Sequence, residues 1–294
     1  MRRLFFLPLV FSCICLASYG QGAVNPYSSL NGNWRLSTAG GGFENPDQYF
    51  TLGVYGSTIF AQGTLSISCT RDGKPLAIEP EVSLRGEIRS DGSFTLENPE
   101  SPISTEAHGT TITGKLPAAG KWSGSIAVAA FQYQVPGQSM RDCRAASGDF
   151  AATPLPPVNG TYSGVIYTGK PEPDGYVTLT VSQGQFSPVS CAGRYGREIQ
   201  ARGRIVVTGS SQFPSGTFET EGDFCGSSMN GSRFQIGFFH KGDTTDLSAS
   251  GKIDPSDDSR IQLTLHYVYR DAAGKSASLI GQIPLTRDDD KASR

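Results

Sequence analysis

An internal repeat limits what this chain can fold into more than any other feature. Asn31-Gly32-Asn33-Trp34 recurs as Asn159-Gly160-Thr161-Tyr162, and Tyr49-Phe50-Thr51-Leu52-Gly53-Val54 recurs as Tyr176-Val177-Thr178-Leu179-Thr180-Val181. The two pairs are offset by 128 and 127 residues, so spacing inside the unit is kept. In each copy an Asn-Gly pair, read as a turn, stands just ahead of a large aromatic. A duplication of this length implies two domains of like architecture, and 294 residues suffice for both.

Within each copy apolar residues alternate with polar ones, the period of a strand with one buried face. Phe50, Leu52 and Val54 share a face; so do Leu65, Ile67 and Cys69, then Leu84, Gly86 and Ile88. Asp91-Gly92 is a hairpin signal, after which Phe94 and Leu96 resume the pattern. Trp122, Gly124, Ile126 and Val128 follow, and Asp149-Phe150-Ala151 closes the first unit. In the second unit Phe234, Ile236 and Phe238 form one apolar face and Ile261, Leu263, Leu265, Tyr267 and Tyr269 another. Helical spacing is nowhere sustained, and the 36 Gly and 18 Pro punctuate short strands along the chain. The chain is therefore expected to be all-β. Antiparallel strands joined by short hairpins must protect their edges. The expectation is two tandem antiparallel meander β-barrels, with two β-sandwiches as the alternative.

The boundaries follow from composition. Met1-Arg2-Arg3, the apolar run Leu4 to Ala17 and Ser18-Tyr19-Gly20 read as a signal peptide over 1–20, cleaved after Gly20 with Ala23 as the next choice. That run is too short to span a bilayer, so no transmembrane segment is expected after cleavage. Cys13 and Cys15 lie within it, which makes a lipid anchor in the envelope the alternative to a secreted or periplasmic location. Residues 21–30 read as a linker, 31–153 as the first barrel, 154–157 as a stiff proline linker, 158–287 as the second barrel and 288–294 as a polar tail.

Gly32-Asn33-Trp34 is similar to the Gly-x-Trp that opens the first strand of lipocalin-like barrels. In that family the Trp covers one end of the barrel and a basic residue near the last strand packs on it. The resemblance assigns that part to Arg287 in the second unit, where Tyr162 replaces the Trp. The first unit has Ala152-Thr153 at the matching place and no basic residue. The phrase pattern as a whole resembles uncharacterised secreted bacterial proteins of tandem β-barrel type.

No catalytic constellation is present. There is no Gly-x-Ser-x-Gly elbow, and His108, His240 and His266 lack a nucleophile at a recognisable spacing. No Cys-x-x-Cys or His-x-x-x-His pair suggests zinc, and Asp254-Pro255-Ser256-Asp257-Asp258 does not match a calcium loop. Glu97, Glu219 and Glu221 read as surface acids, and Gly40-Gly41-Gly42 as a flexible hairpin tip rather than a phosphate loop. No catalytic residue, metal or cofactor is expected. The formal charge of −2, or −4 once Arg2 and Arg3 are removed, is too evenly spread to point to nucleic acid.

Export leaves Cys69, Cys143, Cys191 and Cys225 in an oxidising compartment. Four Cys allow three connectivities. The proline linker favours bridges within a unit, Cys69 to Cys143 and Cys191 to Cys225. The functional expectation is an exported, non-catalytic binding or envelope-surface protein, its partner an unidentified small molecule, glycan or envelope component. Two alternatives stand beside it: a lipocalin-like carrier of a small apolar ligand, and a polysaccharide-acting hydrolase. A carrier would need small inward residues such as Gly53, Ala127 and Ala129. The expected contact loops are Ala39 to Asp47 and Thr168 to Asp174, which follow the opening strand of each copy and differ in sequence.

Overall fold

The computed structural model describes residues 27–98, 107, 109–116, 122–133, 139–167, 169–186, 199–219, 228–230, 233–239, 246–254, 257–270 and 274–288. The segment read as a signal peptide, most of the segment read as the first linker, the tail beyond Asp288, Cys191, Cys225, His108, His240 and Glu221 lie outside them.

After a short 3-10 turn, Ser28–Leu30, the first unit runs through β1 (Gly32–Ala39), β2 (Asp47–Tyr55), β3 (Thr58–Thr64), β4 (Ile67–Arg71), β5 (Lys74–Ile78), β6 (Glu81–Ile88), β7 (Ser93–Glu97), β8 (Thr110–Lys115), β9 (Trp122–Val128), β10 (Phe131–Tyr133), β11 (Arg141–Cys143) and β12 (Ala146–Leu155). Eight of these close a barrel in the order β1-β12-β9-β8-β7-β6-β3-β2. The remaining four form a separate sheet, β10-β11-β4-β5. It is built from two hairpins that leave the barrel between β3 and β6 and between β9 and β12. Cys69 pairs with Cys143 across β4 and β11, and the two are joined by a disulfide spanning 74 residues of sequence. The stretch from Thr64 to Cys69, which alternates like one strand, is thus two: β3 belongs to the barrel and β4 to the outlying sheet.

The second unit comprises β13 (Asn159–Ile166), β14 (Gly175–Phe186), β15 (Ile199–Thr208), β16 (Gly216–Glu219), β17 (Ser228–Asn230), β18 (Arg233–Phe239), β19 (Asp246–Asp254), β20 (Asp257–Arg270) and β21 (Ser276–Arg287). They form one sheet, β14-β13-β21-β20-β19-β18-β17-β15-β16, that curls until β14 pairs with β15. In both units the opening strand pairs with the second and the last: β1 with β2 and β12, β13 with β14 and β21.

The repeated Asn-Gly is not a hairpin turn. It is the splice that starts this closure. The Asn31 side chain accepts the Val54 N–H at 2.7 Å, and Asn159 accepts the Gln183 N–H at 2.9 Å. Each amide side chain therefore extends the ladder past the end of the opening strand. The following glycines hold φ of +137° and +150°, which disfavour a side chain. Behind them come the buried aromatics. Trp34 is 2% exposed and donates its indole N–H to the Leu30 carbonyl at 2.8 Å. Tyr162 is fully buried, and the Arg287 guanidinium lies 5.8 Å from its ring centre while donating to the Asn159 carbonyl. Opposite Trp34 the corresponding residue is Pro154.

Pro154 and Leu155, read as linker, are the last residues of β12. They pair with β1 beyond the last residue paired with β9, so the strand there has one neighbour and tolerates proline. The Gly40-Gly41-Gly42 tip is packed rather than free. Gly41 accepts a hydrogen bond from the Ser147 N–H, and a Cβ on Gly41 would collide with the Ser147 carbonyl.

The first interior is filled by aromatic side chains, and the second unit buries Tyr162, Phe213, Phe234 and Ile236 in one core. Trp122 meets Trp34, Phe94 and Phe150 edge-on, at centroid distances of 5.9, 5.3 and 5.0 Å, inside the first barrel. Such contacts add about 0.5–1.5 kcal/mol each beyond burial. An eight-stranded barrel is just wide enough for side chains to fill. Ala127 and Ala129 are exposed and do not line the interior. The outer face is polar: Glu87, Thr95, Thr113, Ser125 and Asp149 stand side by side in register across β6, β7, β8, β9 and β12. A lipid-facing barrel would carry apolar residues there. Among the described residues no helix is long and apolar enough to cross a membrane.

The two Asn splices are expected to differ in weight. Val54 is 5% exposed and its N–H depends on Asn31, whereas the Gln183 N–H also reaches the Val158 carbonyl. Asn31→Ala should cost about 1–3 kcal/mol in denaturant unfolding and Asn159→Ala less than about 1 kcal/mol. The reverse order would contradict this account of the repeat.

Candidate functional site

A concave surface lies outside the barrels. A cleft of about 580 Å³ opens between them. One wall is the outer surface of β2 and β3 with the adjoining loops: Asn45, Asp47, Tyr49, Thr64, Ser66 and Glu79. The facing wall is the outer surface of β19, β20 and β21: Lys252, Arg260, Gln262, Pro284 and Thr286. Alternation explains why these residues are available. Their strand neighbours Phe50, Ile253, Ile261 and Leu285 turn inward and are buried.

Two contacts fix the separation of the walls. Near the linker, the Gln183 side-chain carbonyl accepts from the Asn33 amide at 2.7 Å and from the Val158 N–H at 2.9 Å. Asn33 is itself buried and accepts from the Thr51 hydroxyl at 3.0 Å. Beside the cleft, Glu79 of the first unit crosses to the second. Its carboxylate takes Lys252 at 2.8 Å and Arg233 at 2.8 Å. Partial burial pushes this carboxyl up, but hydrogen bonding and charge from Lys252, then Arg233, outweigh it and hold the pKa below the ordinary 4.5.

The wall of the first barrel is anchored from within. Gln48, 1% exposed, accepts from the Ser66 N–H at 2.7 Å and donates to the Asn45 carbonyl. Asp47 accepts from the Ser37 hydroxyl at 2.6 Å. These bonds hold the end of the Ala39 to Asp47 loop against β3.

The two loops read as contact loops do not converge. Ala39 to Asp47 reaches the cleft through Asn45 and Asp47. Of Thr168 to Asp174, the described residues 169–174 lie at the far end of the second barrel, and Thr168 lies outside the described residues. There Asp174 accepts from the Ser211 and Ser210 hydroxyls at 2.6 and 2.9 Å, tying the β13–β14 loop to the β15–β16 loop. The Ser211 hydroxyl, opposed by slight desolvation and joined by Ser210, holds the Asp174 carboxyl below its ordinary value. Glu97 is an exposed side chain on β7, and Glu219 is paired with Arg204 at 2.9 Å on the surface. Lys252, Arg260, Gln262 and Glu79 were not singled out by sequence. Their only local signal is a polar position on an alternating strand.

A glycosidic general acid needs a carboxyl of raised pKa. Glu79 is shifted the other way, clamped by two cations. Among the described residues no group of three or more His, Cys, Asp or Glu could hold a metal ion.

Comparisons with known protein families and with curated proteins find no match. Among solved structures the chain is similar to transferrin-binding protein B, a vaccine antigen of Haemophilus parasuis crystallised as a double mutant. The identity is 9% and the TM-score 0.22, over 82% of this chain and 53% of that one. The chain thus spans about half the length of that protein.

The Glu79 clasp gives a pH dependence of definite sign. A carboxyl whose folded pKa lies below the unfolded value contributes fully above the unfolded value and loses that contribution as pH falls through the folded one. Small-angle scattering should show a constant radius of gyration above pH 4.5 and an increase below it, before global unfolding. Glu79→Gln should show the larger radius at neutral pH. An unchanged radius down to acid unfolding would mean that Glu79 does not set the cleft.

Proposed function

We propose that this chain is an exported, non-catalytic binding protein that holds its ligand in the cleft between two barrels. The observation that carries the reading is the combination of an aromatic-packed first interior with a concavity of about 580 Å³ outside it, where amide, hydroxyl and charged side chains stand beside apolar surface. That volume is in the usual range for small-molecule sites. Amide, hydroxyl and aromatic groups from Asn45, Thr64, Ser66, Gln262 and Tyr49 suit a hydroxylated ligand of oligosaccharide type. Export is supported by the amino-terminal pattern and by the Cys69–Cys143 bond, which is stable in an oxidising compartment. The domain limits proposed are a first barrel over 31–155, whose last strand takes in Pro154 and Leu155, and a second over 158–287. A carrier of apolar cargo is disfavoured by the aromatic packing around Trp122, and a hydrolase by the lowered pKa of Glu79.

The test is a binding screen of the full chain against neutral and acidic oligosaccharides, with turnover followed in the same samples. Saturable binding without turnover is expected. Gln262→Trp, which fills the cleft from an exposed strand position, should weaken it by about tenfold or more. Turnover lost in Asp47→Asn or Glu79→Gln would overturn the reading, as would binding that Gln262→Trp leaves unchanged.

A further inference from the structure

The outer face of the second barrel carries a row of cations. Arg233 pairs directly with Lys252 across β18 and β19, and Lys252 pairs with Gln262 of β20. Arg260 lies two residues before Gln262 on the same strand and therefore on the same face. Neighbours diagonal across a ladder lie within reach of one another's long side chains. One end of the row is neutralised by the first barrel: Glu79 takes Lys252 and Arg233, and Glu81 stands 4.0 Å from Arg233. The other end is not. Arg260 lines the cleft, is exposed, and has no hydrogen-bond or ion-pair partner among the described residues.

A second guanidinium lies next to the strand that forms the opposite wall. Arg35 is the cross-strand partner of Tyr49, and its buried Nε has no acceptor among the described residues. Buried polar atoms are rarely left so, and each one invites an explanation. Arg260 is thus the guanidinium that lines the cleft with unused donors, and Arg35 lies behind Tyr49 on the first barrel. A guanidinium fits the two oxygens of a carboxylate with paired N–H donors. Among the described residues Asp47, bonded to Ser37 through Oδ1, makes no ion pair with Arg260.

We propose that the cleft selects an acidic saccharide, its carboxylate bound to Arg260 and a sugar ring set against Tyr49. This rests on the cleft being the binding site and names the ligand class. Glu79 keeps Lys252 and Arg233 occupied, so the selectivity resides in Arg260. No bond is made or broken.

The experiment is isothermal titration of the full chain with trigalacturonate, neutral galactotriose and inorganic phosphate. Trigalacturonate is expected to bind, galactotriose to bind at least about tenfold more weakly, and Arg260→Ala to lose at least about tenfold for the acid alone. Arg260→Lys should recover part of that loss, since charge returns without the paired donors. Arg260 is exposed, so an unchanged melting temperature in Arg260→Ala is expected and rules out misfolding as the cause. Equal affinity for the two trisaccharides, or full affinity in Arg260→Ala, would overturn the acid selectivity while leaving the cleft as the site. Phosphate binding as tightly as trigalacturonate would show a simple anion site and overturn the saccharide assignment. Binding of neither trisaccharide would overturn the proposal, and the broader oligosaccharide screen with Gln262→Trp then decides whether the cleft is a site at all.

Discussion

Closure of the opening strand onto the last strand is the constraint on which the rest depends. An antiparallel sheet left open has two edges that can pair with other chains. Here β1 is held between β2 and β12, and β13 between β14 and β21. The Asn-Gly splice secures the start of each: the Asn amide continues the ladder and the Gly takes a positive φ. The aromatic that follows is thereby placed at the end of the interior. Trp34 is tied to the chain before it, and Tyr162 lies under Arg287. A closed ladder of eight strands leaves an interior that large side chains fill. Trp122 with Trp34, Phe94 and Phe150 fill the first one, so the site proposed for a ligand lies outside it.

The same alternation that fills the interior builds the exterior. Every buried Ile or Leu on β19, β20 and β21 has a polar neighbour turned outward, and some of those neighbours face the first barrel. The Gln183–Asn33 contact and the Glu79 clasp then convert two convex barrels into one concave site. Exposed ion pairs are worth little individually, about 0–1 kcal/mol. Glu79 acts through position: it is an exposed carboxylate shared by two cations from the other unit, and it holds the walls at one distance.

Much of the fold was legible in sequence because its signals are local. The repeat offset, the period-two apolar faces, Asp91-Gly92 and the Cys69–Cys143 pair all point to closed β-units. What was not legible depends on pairing partners. Leu65, Ile67 and Cys69 alternate without a break, yet β3 and β4 enter different sheets, because periodicity reports which face is buried and not which strand lies alongside. Asn-Gly has the composition of a tight turn, and only the distant Val54 and Gln183 amides reveal it as a splice. Pro154 is excluded from a central strand but not from the one-sided end of β12. The site was the least legible part. Glu79 and Lys252 are 173 residues apart, and neither carries a motif. The loops Ala39 to Asp47 and Thr168 to Asp174 have equivalent places in the repeat, but only the first faces the other barrel.

Hydrogen exchange of the full chain with and without a bound acidic oligosaccharide tests the central claim most directly. If the ligand is held between the barrels, amides on both walls must slow together: 45–49 and 64–66 on one side, 260–262 and 284–286 on the other. Protection confined to one barrel, such as residues 169–174 and 208–213 at the far end of the second, would contradict it.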